Sequence, residues 1–291
     1  MTLSLSRRAS IAAAFLLASA ALSPAHASAT RGKPNPECAR LAPAGFPFPA
    51  SPVVAKRAYH ACYSAYSAYV DPETRGPLWS FELLQSDSLQ ADEARTNDFR
   101  PDPDIPASAQ AKSQKDFARS GYDQGHMAPA GDFHASPQVM SESFFYSNIV
   151  PQNANNNRNA WQKLEIFTRQ WAHSRGSLTV VTGPIFSDGK SLGFLGSSKL
   201  AIPTHIFKVI IDHRRMESMA FVLPNQPIEP LGGKGTLKAW EQTLAGYQVS
   251  IKDVEAWSGL AFDPALPAPD REKLHSQKNG MWSTRSSKSR R

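Results

Sequence analysis

Two polar segments near the middle of the chain carry residue types suited to acid–base and metal-assisted chemistry. Residues 122–133 contain His126 directly after a glycine, and residues 147–165 are rich in asparagine and end on a carboxylate. A neutral imidazole accepts a proton at near-neutral pH, which makes His126 a candidate general base. A histidine that stood alone there would more often be a turn or core residue.

The second segment has a helical spacing of polar and aromatic residues. Asn157, Trp161 and Glu165 recur at i, i+4 and i+8, so a helix over residues 156–173 would carry all three on one face. Mg²⁺ takes oxygen ligands and keeps several waters, which suits an asparagine carbonyl supported by a carboxylate. Zinc fits less well, because the histidines are scattered and the two cysteines are expected to be oxidised.

Taken together, the two segments resemble the DNA/RNA non-specific endonuclease family, the ββα-metal or His-Me finger nucleases. The resemblance rests on Asp-x-Gly-His-Met-Ala-Pro-Ala followed by Ser-Asn-Ile-x-Pro-Gln-x4-Asn-x3-Trp-x3-Glu, a spacing far more specific than a turn or cap signature. It extends over residues 60–263 through further short matches, which are Cys62-Tyr63, residues 95–99, residues 202–204, Phe207-Lys208 and residues 258–262.

This resemblance implies a role for each matching position. His126 would be the general base, and Asn157 would be the direct ligand of one Mg²⁺ ion, for which Mn²⁺ would substitute. Glu165 would orient the metal-bound waters, Asn148 would support the site by hydrogen bonding, and Arg95 would contact the phosphate. The implied activity is sequence-nonspecific hydrolysis of DNA and RNA, through contacts to the phosphate backbone, with 5′-phosphate products.

One position departs from the family pattern. Gln124 stands between Asp123 and glycine where the family has arginine, so a neutral amide replaces a cation at a substrate-binding position. A charge-assisted contact is about twice as strong as a neutral one. Compensation by Arg119, Lys115 or Arg158 is a hypothesis, and Asp123 itself is expected to fix the loop that carries His126.

The surrounding sequence predicts the elements that must position these residues. Apolar and alternating runs predict strands at residues 79–84, 178–182, 206–211 and 218–223, the last two as an antiparallel hairpin. Besides the helix over 156–173, helices are expected near residues 237–247 and 251–257. Strict βαβ alternation is missing, which favours an α+β fold with a largely antiparallel central sheet flanked by helices. The resemblance adds a ββα-metal active-site motif.

The ends of the chain differ in composition from its middle. Residues 1–27 have a charged start, an apolar stretch and Ala-x-Ala at their end, the order typical of a cleaved signal peptide. A secreted or periplasmic protein without a membrane anchor is therefore expected. Residues 28–59 form a Pro/Ala-rich segment, residues 60–263 the endonuclease domain, and residues 264–291 a proline-containing basic tail that is expected to be disordered.

Charge and cysteine content constrain the protein less strongly. The net charge is +7, and loss of Arg7 and Arg8 with residues 1–27 would leave +5, which favours polyanionic partners only weakly. Cys38 and Cys62 are the two cysteines, and a disulfide is favoured over two separate thiols.

Two other functions stay open on the sequence alone. One is a catalytically weak nucleic-acid-binding protein for export or uptake, in which Gln124 marks lost activity; the other is a phosphodiesterase for small nucleotides. The preferences for DNA or RNA and for single or double strands, a homodimeric state, a protein inhibitor and the biological role are not decided by the sequence.

Overall fold

A computed structural model describes residues 28–284. The predicted signal peptide, residues 1–27, and residues 285–291 of the predicted tail lie outside the described residues. The described chain has the predicted α+β fold, in which helices pack on a large antiparallel sheet. No helix within residues 28–284 has the length and apolar character needed to cross a membrane.

The elements are short except around the central sheet. The strands are β1 (Thr30–Arg31), β2 (Phe48–Pro49), β3 (Tyr59–Cys62), β4 (Tyr66–Asp71), β5 (Gly76–Gln85), β6 (Tyr122–His126), β7 (Ile149–Asn153), β8 (Ser177–Ile185), β9 (Phe194–Leu195), β10 (Leu200–Ala201), β11 (His205–Asp212), β12 (Glu217–Pro224), β13 (Gln248–Val249) and β14 (Leu260–Ala261). The α-helices are α1 (Pro52–Arg57), α2 (Pro137–Glu142), α3 (Ala154–Asn156), α4 (Gln162–Arg175), α5 (Leu237–Ala245), α6 (Ile251–Ser258) and α7 (Ala268–His275). A π-helical turn (Asn157–Trp161) joins α3 to α4, and 3₁₀ helices lie at Pro36–Leu41, Ser88–Gln90, Ala107–Ala109, Gln114–Asp116, Ala130–Asp132, Tyr146–Asn148, Ser187–Gly189 and Leu231–Gly233.

The central sheet has eight strands in the order β1-β3-β4-β5-β8-β11-β12-β13, and each neighbouring pair is antiparallel. The four predicted strands lie within β5, β8, β11 and β12, and β11 and β12 form the predicted hairpin. Nearly all of β11 is buried, because both faces of the sheet are covered. Its run of Ile, Phe and Val favours such a position.

The two faces of the sheet pack against different elements. On one face Trp79, Phe81 and Phe207 meet Val254 of α6 and Leu274 of α7. On the opposite face, the side chains of β8, β11 and β12 pack against α4 and α5 through a second cluster, which includes Trp161, Trp171, Phe221 and Trp240. The helix predicted to carry Asn157 and Glu165 therefore lies on this second face.

The N-terminal segment is attached to the edge of the sheet. Strand β1 pairs with β3, and a disulfide joins Cys38 to Cys62 with 5.4 Å between their Cα atoms. This favoured pairing is present, and it links the 3₁₀ helix Pro36–Leu41 to β3. The proline-rich segment also contains α1, whose first residue is Pro52, a position that suits proline because it needs no amide donor.

The C-terminal segment is more ordered than its composition suggested. Helix α7 buries Leu274, and Trp282 is 9% exposed beneath the guanidinium of Arg175, 3.6 Å from its ring centre. Trp171 Nε1 also donates to the carbonyl of Trp282 at 2.8 Å. The prediction of disorder from residue 264 onward is therefore wrong as far as residue 284, because two apolar anchors outweigh the basic, proline-rich composition.

The docking of α7 includes a histidine held between two carboxylates. His275 Nε2 lies 3.1 Å from Asp263 and Nδ1 lies 3.4 Å from Glu255, while His213 faces Asp263 from 3.8 Å. Burial alone would lower the pKa of His275, but its hydrogen bonds to Asp263 and Glu255 outweigh burial and raise that pKa. A raised folded-state pKa stabilises the protein at pH values below the unfolded pKa of histidine, and this stabilisation is lost as the pH rises through the folded value.

We expect the melting temperature to contain a component that falls as the pH rises from 6 to 9, and we expect His275→Gln to remove that component. Thermal unfolding across this pH range measures it, with His173→Gln at an exposed position as the matched control. The assignment to His275 is wrong if the His275→Gln protein has the same pH profile as the unmodified protein.

Candidate active site

A two-stranded ribbon and the helix after it position the predicted site residues. Strand β6 pairs antiparallel with β7, and His126 lies opposite Ile149 at the end of the ribbon. The chain then enters α3, the π-helical turn and α4. This strand–strand–helix arrangement carries His126 on its first strand and Asn157 and Glu165 on its helical part, as expected for a ββα motif.

The ribbon and the helix start are joined by amide side chains. A side-chain carbon at Gly125 would collide with Gln152, so this position requires a glycine. Gln152 Nε2 donates to Asn156 Oδ1 at 3.0 Å, and Asn156 Nδ2 donates to the carbonyl of Pro224 at 2.9 Å. Asn153 caps α3 by accepting from the backbone. The asparagine-rich stretch thus anchors the helix start to the sheet, a role that the sequence did not reveal beyond capping.

His126 lies in an aromatic environment with one ring nitrogen unpaired. Its side chain is 8% exposed, and its Nε2 atom is buried with no hydrogen-bond partner in the described part of the chain. The rings of Phe99 and Phe144 lie 5.2 and 4.9 Å from the imidazole, the latter perpendicular to it. Burial, together with the charge of Arg95, lowers the pKa of His126 to about 3. The imidazole is therefore neutral at physiological pH, which is the form that a general base must have before it acts.

Arg95 lies close to this histidine, and no salt bridge to an acid is seen for it within residues 28–284. Its guanidinium lies 4.8 Å from the ring centre of Phe144, which itself contacts His126, and its Nε donates to Asn97 at 2.7 Å. Burial lowers the pKa of Arg95 and the carboxylate of Glu165 acts in the opposite direction. A guanidinium keeps its charge under such a shift, so Arg95 brings a positive charge to the neighbourhood of His126.

Asn157 is held in one orientation by an acid on the ribbon. Its Nδ2 donates to Asp123 Oδ2 at 2.9 Å, and Arg158 contacts the same carboxylate through two bonds of 2.8 and 2.6 Å. Within residues 28–284, none of the hydrogen bonds of Asn157 uses Oδ1. Asp123 therefore directs the amide so that its oxygen remains available, and it also engages Arg158, one of the cations suggested to compensate for Gln124.

The helix under the site is not the regular helix that the spacing predicted. Asn157–Trp161 forms a π-helical turn, in which each residue bonds five positions away rather than four. Trp161, at the end of this turn, is fully buried, while Glu165 is half-buried. Such turns are frequent at functional sites, and this one follows directly on the asparagine-rich anchor.

Glu165 faces several charged groups. Burial raises its pKa to about 7, while the positive charges of Lys208, Arg169 and Arg95 act to lower it and Asp132 acts to raise it. The carboxyl group of Glu165 therefore lies within the electrostatic reach of Arg95, the cation beside His126.

Asn148 is fully buried and all of its side-chain hydrogen-bonding capacity serves the fold. Its Oδ1 accepts from Ser80 Oγ at 2.7 Å and from the Ala128 amide at 2.9 Å, and its Nδ2 donates to the carbonyls of Ala128 and Ser143 at 2.8 Å each. Its own carbonyl accepts from Met127 at 2.9 Å. Asn148 therefore fixes the chain immediately after His126 to β5.

Gln124 borders an open groove beside the ribbon. The groove is lined by Lys115, Phe117, Tyr122 and Gln124, and Gln124 Oε1 is buried without a hydrogen-bond partner in the described chain. Lys115 is thus the suggested compensating cation that shares a surface with Gln124. Arg119 has a left-handed backbone, with φ of 55°, in the loop before β6.

The donor atoms present suit a hard cation with few protein ligands. Among residues 28–284 no group of three or more His, Cys, Asp or Glu side chains forms a metal cluster. The side-chain oxygen of Asn157 is a carbonyl donor of the kind that Mg²⁺ accepts while it keeps water in its remaining positions. The residues therefore fit the predicted metal.

Comparisons with known proteins give a matching family model and several similar chains. Residues 43–269 match the model of the family described as DNA/RNA non-specific endonuclease. The chain is 38% identical over 218 residues to mitochondrial nuclease EXOG of Danio rerio, covering 70% of this chain and 60% of the relative. It is 34% identical over 225 residues to mitochondrial endonuclease G of Homo sapiens, covering 73% and 70%. A crystal structure of the EndoG/EndoGI complex superposes with a TM-score of 0.68 at 27% identity, covering 85% of this chain and 98% of that one.

The relatives indicate how much of their length this chain matches and in which cellular compartment such proteins are found. The matching part of the chain spans 60% of the length of the Danio rerio nuclease and 57% of the human EXOG nuclease. Four relatives are named mitochondrial, namely the Danio rerio and human EXOG nucleases, the human endonuclease G and Nuclease 1 of Schizosaccharomyces pombe. This finding contradicts the expectation of a secreted or periplasmic protein. Residues 1–27 contain two arginines, several serines and no acid, a composition that organellar targeting segments share with signal peptides.

Proposed function

Because the chain belongs to the DNA/RNA non-specific endonuclease family, we propose that it hydrolyses phosphodiester bonds within DNA and RNA without reading their sequence. The observation that carries this proposal is the buried, unpaired Nε2 of a neutral His126, placed on the same strand–strand–helix unit as Asn157. A base of this kind needs only a water molecule and a phosphodiester, since backbone contacts are independent of the base sequence.

In the proposed reaction each side chain has one task. His126 accepts the proton of the attacking water through Nε2, and Asn148 keeps the chain after His126 against the sheet. Arg95 binds the phosphate and offsets its negative charge. Asn157 would hold one Mg²⁺ ion through Oδ1, and Glu165 would support that ion through its bound waters. When bound, Mg²⁺ supplies stabilisation for charge on the phosphate and on the departing 3′ oxygen, which leaves a 5′-phosphate product.

The test is cleavage of supercoiled plasmid and of total RNA by residues 28–291, with Mg²⁺ or with chelator. We expect both polymers to be degraded in Mg²⁺ and both to survive in chelator, and end-labelling should reveal 5′ phosphates on the fragments. Retention of DNA without cleavage would favour the alternative of a nucleic-acid-binding protein. Hydrolysis of a dinucleotide that long duplex DNA does not inhibit would favour a small-nucleotide phosphodiesterase.

The neutral side chain at position 124 leads to a separate prediction. Gln124→Arg places a cation in the groove beside the ribbon, where the family has one, and a charge-assisted phosphate contact is about twice as strong as a neutral one. We expect a lower KM for DNA, by a few-fold, and a steeper loss of binding with added salt.

Cleavage kinetics across a salt series measure the effect of Gln124→Arg, and Gln114→Arg in the same groove is the matched control. If the Gln124→Arg enzyme and the control respond alike to salt, the position has no specific contact with the substrate. If Gln124→Arg changes neither KM nor the salt response, the amide does not limit substrate binding.

A further inference from the structure

Beneath the candidate active site lie three buried charged side chains to which the proposed reaction assigns no task. Glu82 and Lys208 are 2% and 1% exposed, and Asp132 is 4% exposed. The half-buried Arg169 and Glu165 of α4 lie next to them, and the charges of Glu165, Glu82, Asp132 and Arg169 all act on Lys208. Burial of so many charges is costly unless they are paired, so their arrangement requires a function or a compensation.

Lys208 occupies a fixed position in this set. It lies on β11 directly opposite Thr182 of β8, and Thr182 lies opposite Ser80 of β5. Lys208 Nζ donates to Thr182 Oγ1 at 2.8 Å, and Ser80 Oγ donates to Asn148 Oδ1 at 2.7 Å. A polar row therefore crosses three adjacent strands on the face that carries the site, with Asn148 above one end and Lys208 at the other.

Lys208 also contacts the helix that carries the predicted metal ligand. Its Nζ lies 5.3 Å from the ring centre of Trp161, the last residue of the π-helical turn that begins at Asn157. Glu165, one turn further along, exerts the largest electrostatic influence on Lys208 after burial itself. The ammonium group is therefore directed at the segment between the two proposed metal-site residues.

The other two acids near Lys208, Asp132 and Glu82, differ from Glu165 in their surroundings. Asp132 is already paired with Arg169 at 2.8 Å. Both oxygens of Glu82 are buried with no hydrogen-bond partner among residues 28–284, and burial, followed by the charge of Asp132, raises the pKa of Glu82 well above its usual range. Among the three acids, Glu165 therefore acts most strongly on the charge of Lys208.

We propose that Lys208 is a positioning residue for the metal site, which attracts the side chain of Glu165 electrostatically and supports, through Trp161, the π-helical turn that carries Asn157. This inference rests on the proposed function, because it assumes that Asn157 and Glu165 serve a bound metal ion. Lys208 touches neither substrate nor metal in this arrangement and acts through the helix.

The experiment measures Mn²⁺ binding by electron paramagnetic resonance, which reports on the site without turnover. Lys208→Met should weaken Mn²⁺ binding by about tenfold, the scale typical of lost indirect support for a metal ligand. In a Glu165→Gln background the same substitution should change Mn²⁺ affinity by less than about twofold, because the group it positions is gone. The control is Thr179→Val, which removes a buried hydroxyl from β8 and should leave Mn²⁺ affinity unchanged.

An equal loss of affinity in both backgrounds, or no loss in either, would overturn the proposal. If the Lys208→Met protein fails to fold, the buried acid Glu82 is replaced as well. The Mn²⁺ affinity of the Glu82→Gln, Lys208→Met protein is then compared with that of the Glu82→Gln protein. Equal Mn²⁺ affinities of these two proteins overturn the proposal. If the effect of Lys208→Met on Mn²⁺ affinity depends on Glu165 as expected, but the wild-type protein cleaves neither polymer, the proposed function alone is refuted. If the wild-type protein cleaves both polymers but the effect of Lys208→Met does not depend on Glu165, only the role of Lys208 is refuted. If the wild-type protein binds no Mn²⁺, there is no metal site for Lys208 to support and the proposal is overturned.

Discussion

Replacement of His126 by glutamine is expected to lower the rate of phosphodiester cleavage by about 10²- to 10⁴-fold, the usual contribution of a positioned general base. Glutamine has a similar reach and avoids a cavity next to Phe99 and Phe144, but its amide cannot accept a proton. The loss should appear in kcat, because His126 is proposed to act on the attacking water and not to bind the substrate.

Single-turnover cleavage of a labelled duplex measures the effect of His126→Gln, and His173→Gln on the exposed side of α4 controls for the loss of a histidine. Mn²⁺ affinity should be retained in His126→Gln, since His126 is not a proposed ligand. A folded His126→Gln protein that keeps cleavage within tenfold of wild type would show that another group accepts the proton.

Local patterns were sufficient to predict the centre of the fold. The β11–β12 hairpin was readable because two runs of β-branched and aromatic residues flank a short polar turn, and both runs lie where the sheet is covered on its two faces. The helices α5 and α6 begin directly after Thr236 and Ser250, whose side chains cap the first turns, a signal that is visible in the sequence.

Features that depend on distant contacts could not be predicted in this way. The π-helical turn at Asn157–Trp161 places Trp161 in the core of α4, the sheet and α5, and no periodicity within the segment reveals that core. Likewise, the C-terminal segment is ordered by the packing of Trp282 against Trp171 and Arg175, which lie more than a hundred residues earlier. Composition alone describes neither contact.

The site shows the same division between local motif and tertiary support. The spacing of the motif identified His126, Asn157 and Glu165 as candidates, but it did not reveal that Asp123 orients Asn157 or that Lys208 lies buried under the helix. A lysine within an apolar strand is usually expected at a surface. The signal that was available was the charge itself, since Lys208 interrupts the otherwise apolar run of β11.

Replacement of Asn157 by alanine is expected to abolish tight metal binding. Loss of indirect support costs a metal site about 10- to 100-fold in affinity, so removal of the proposed direct ligand should cost at least about 100-fold. Mg²⁺-dependent cleavage should fall with it, and partial recovery at high Mg²⁺ would be expected, because the waters and Glu165 remain. The matched control is Asn159→Ala, which removes an amide that donates only to the carbonyl of Asn155 at the same helix start.

The hydrogen bond from Asn157 to Asp123 allows a loss of ligand to be separated from a loss of structure. Asp123→Asn keeps the size of the side chain but weakens its hold on Asn157 and Arg158, and should therefore reduce Mn²⁺ affinity while the Asn157 oxygen is still present. If Asn157 is the ligand, Asn157→Ala reduces affinity more than Asp123→Asn, and the two substitutions together lose no more than Asn157→Ala alone. If Asp123→Asn has the larger effect, the carboxylate itself contacts the metal and Asn157 serves only to hold it.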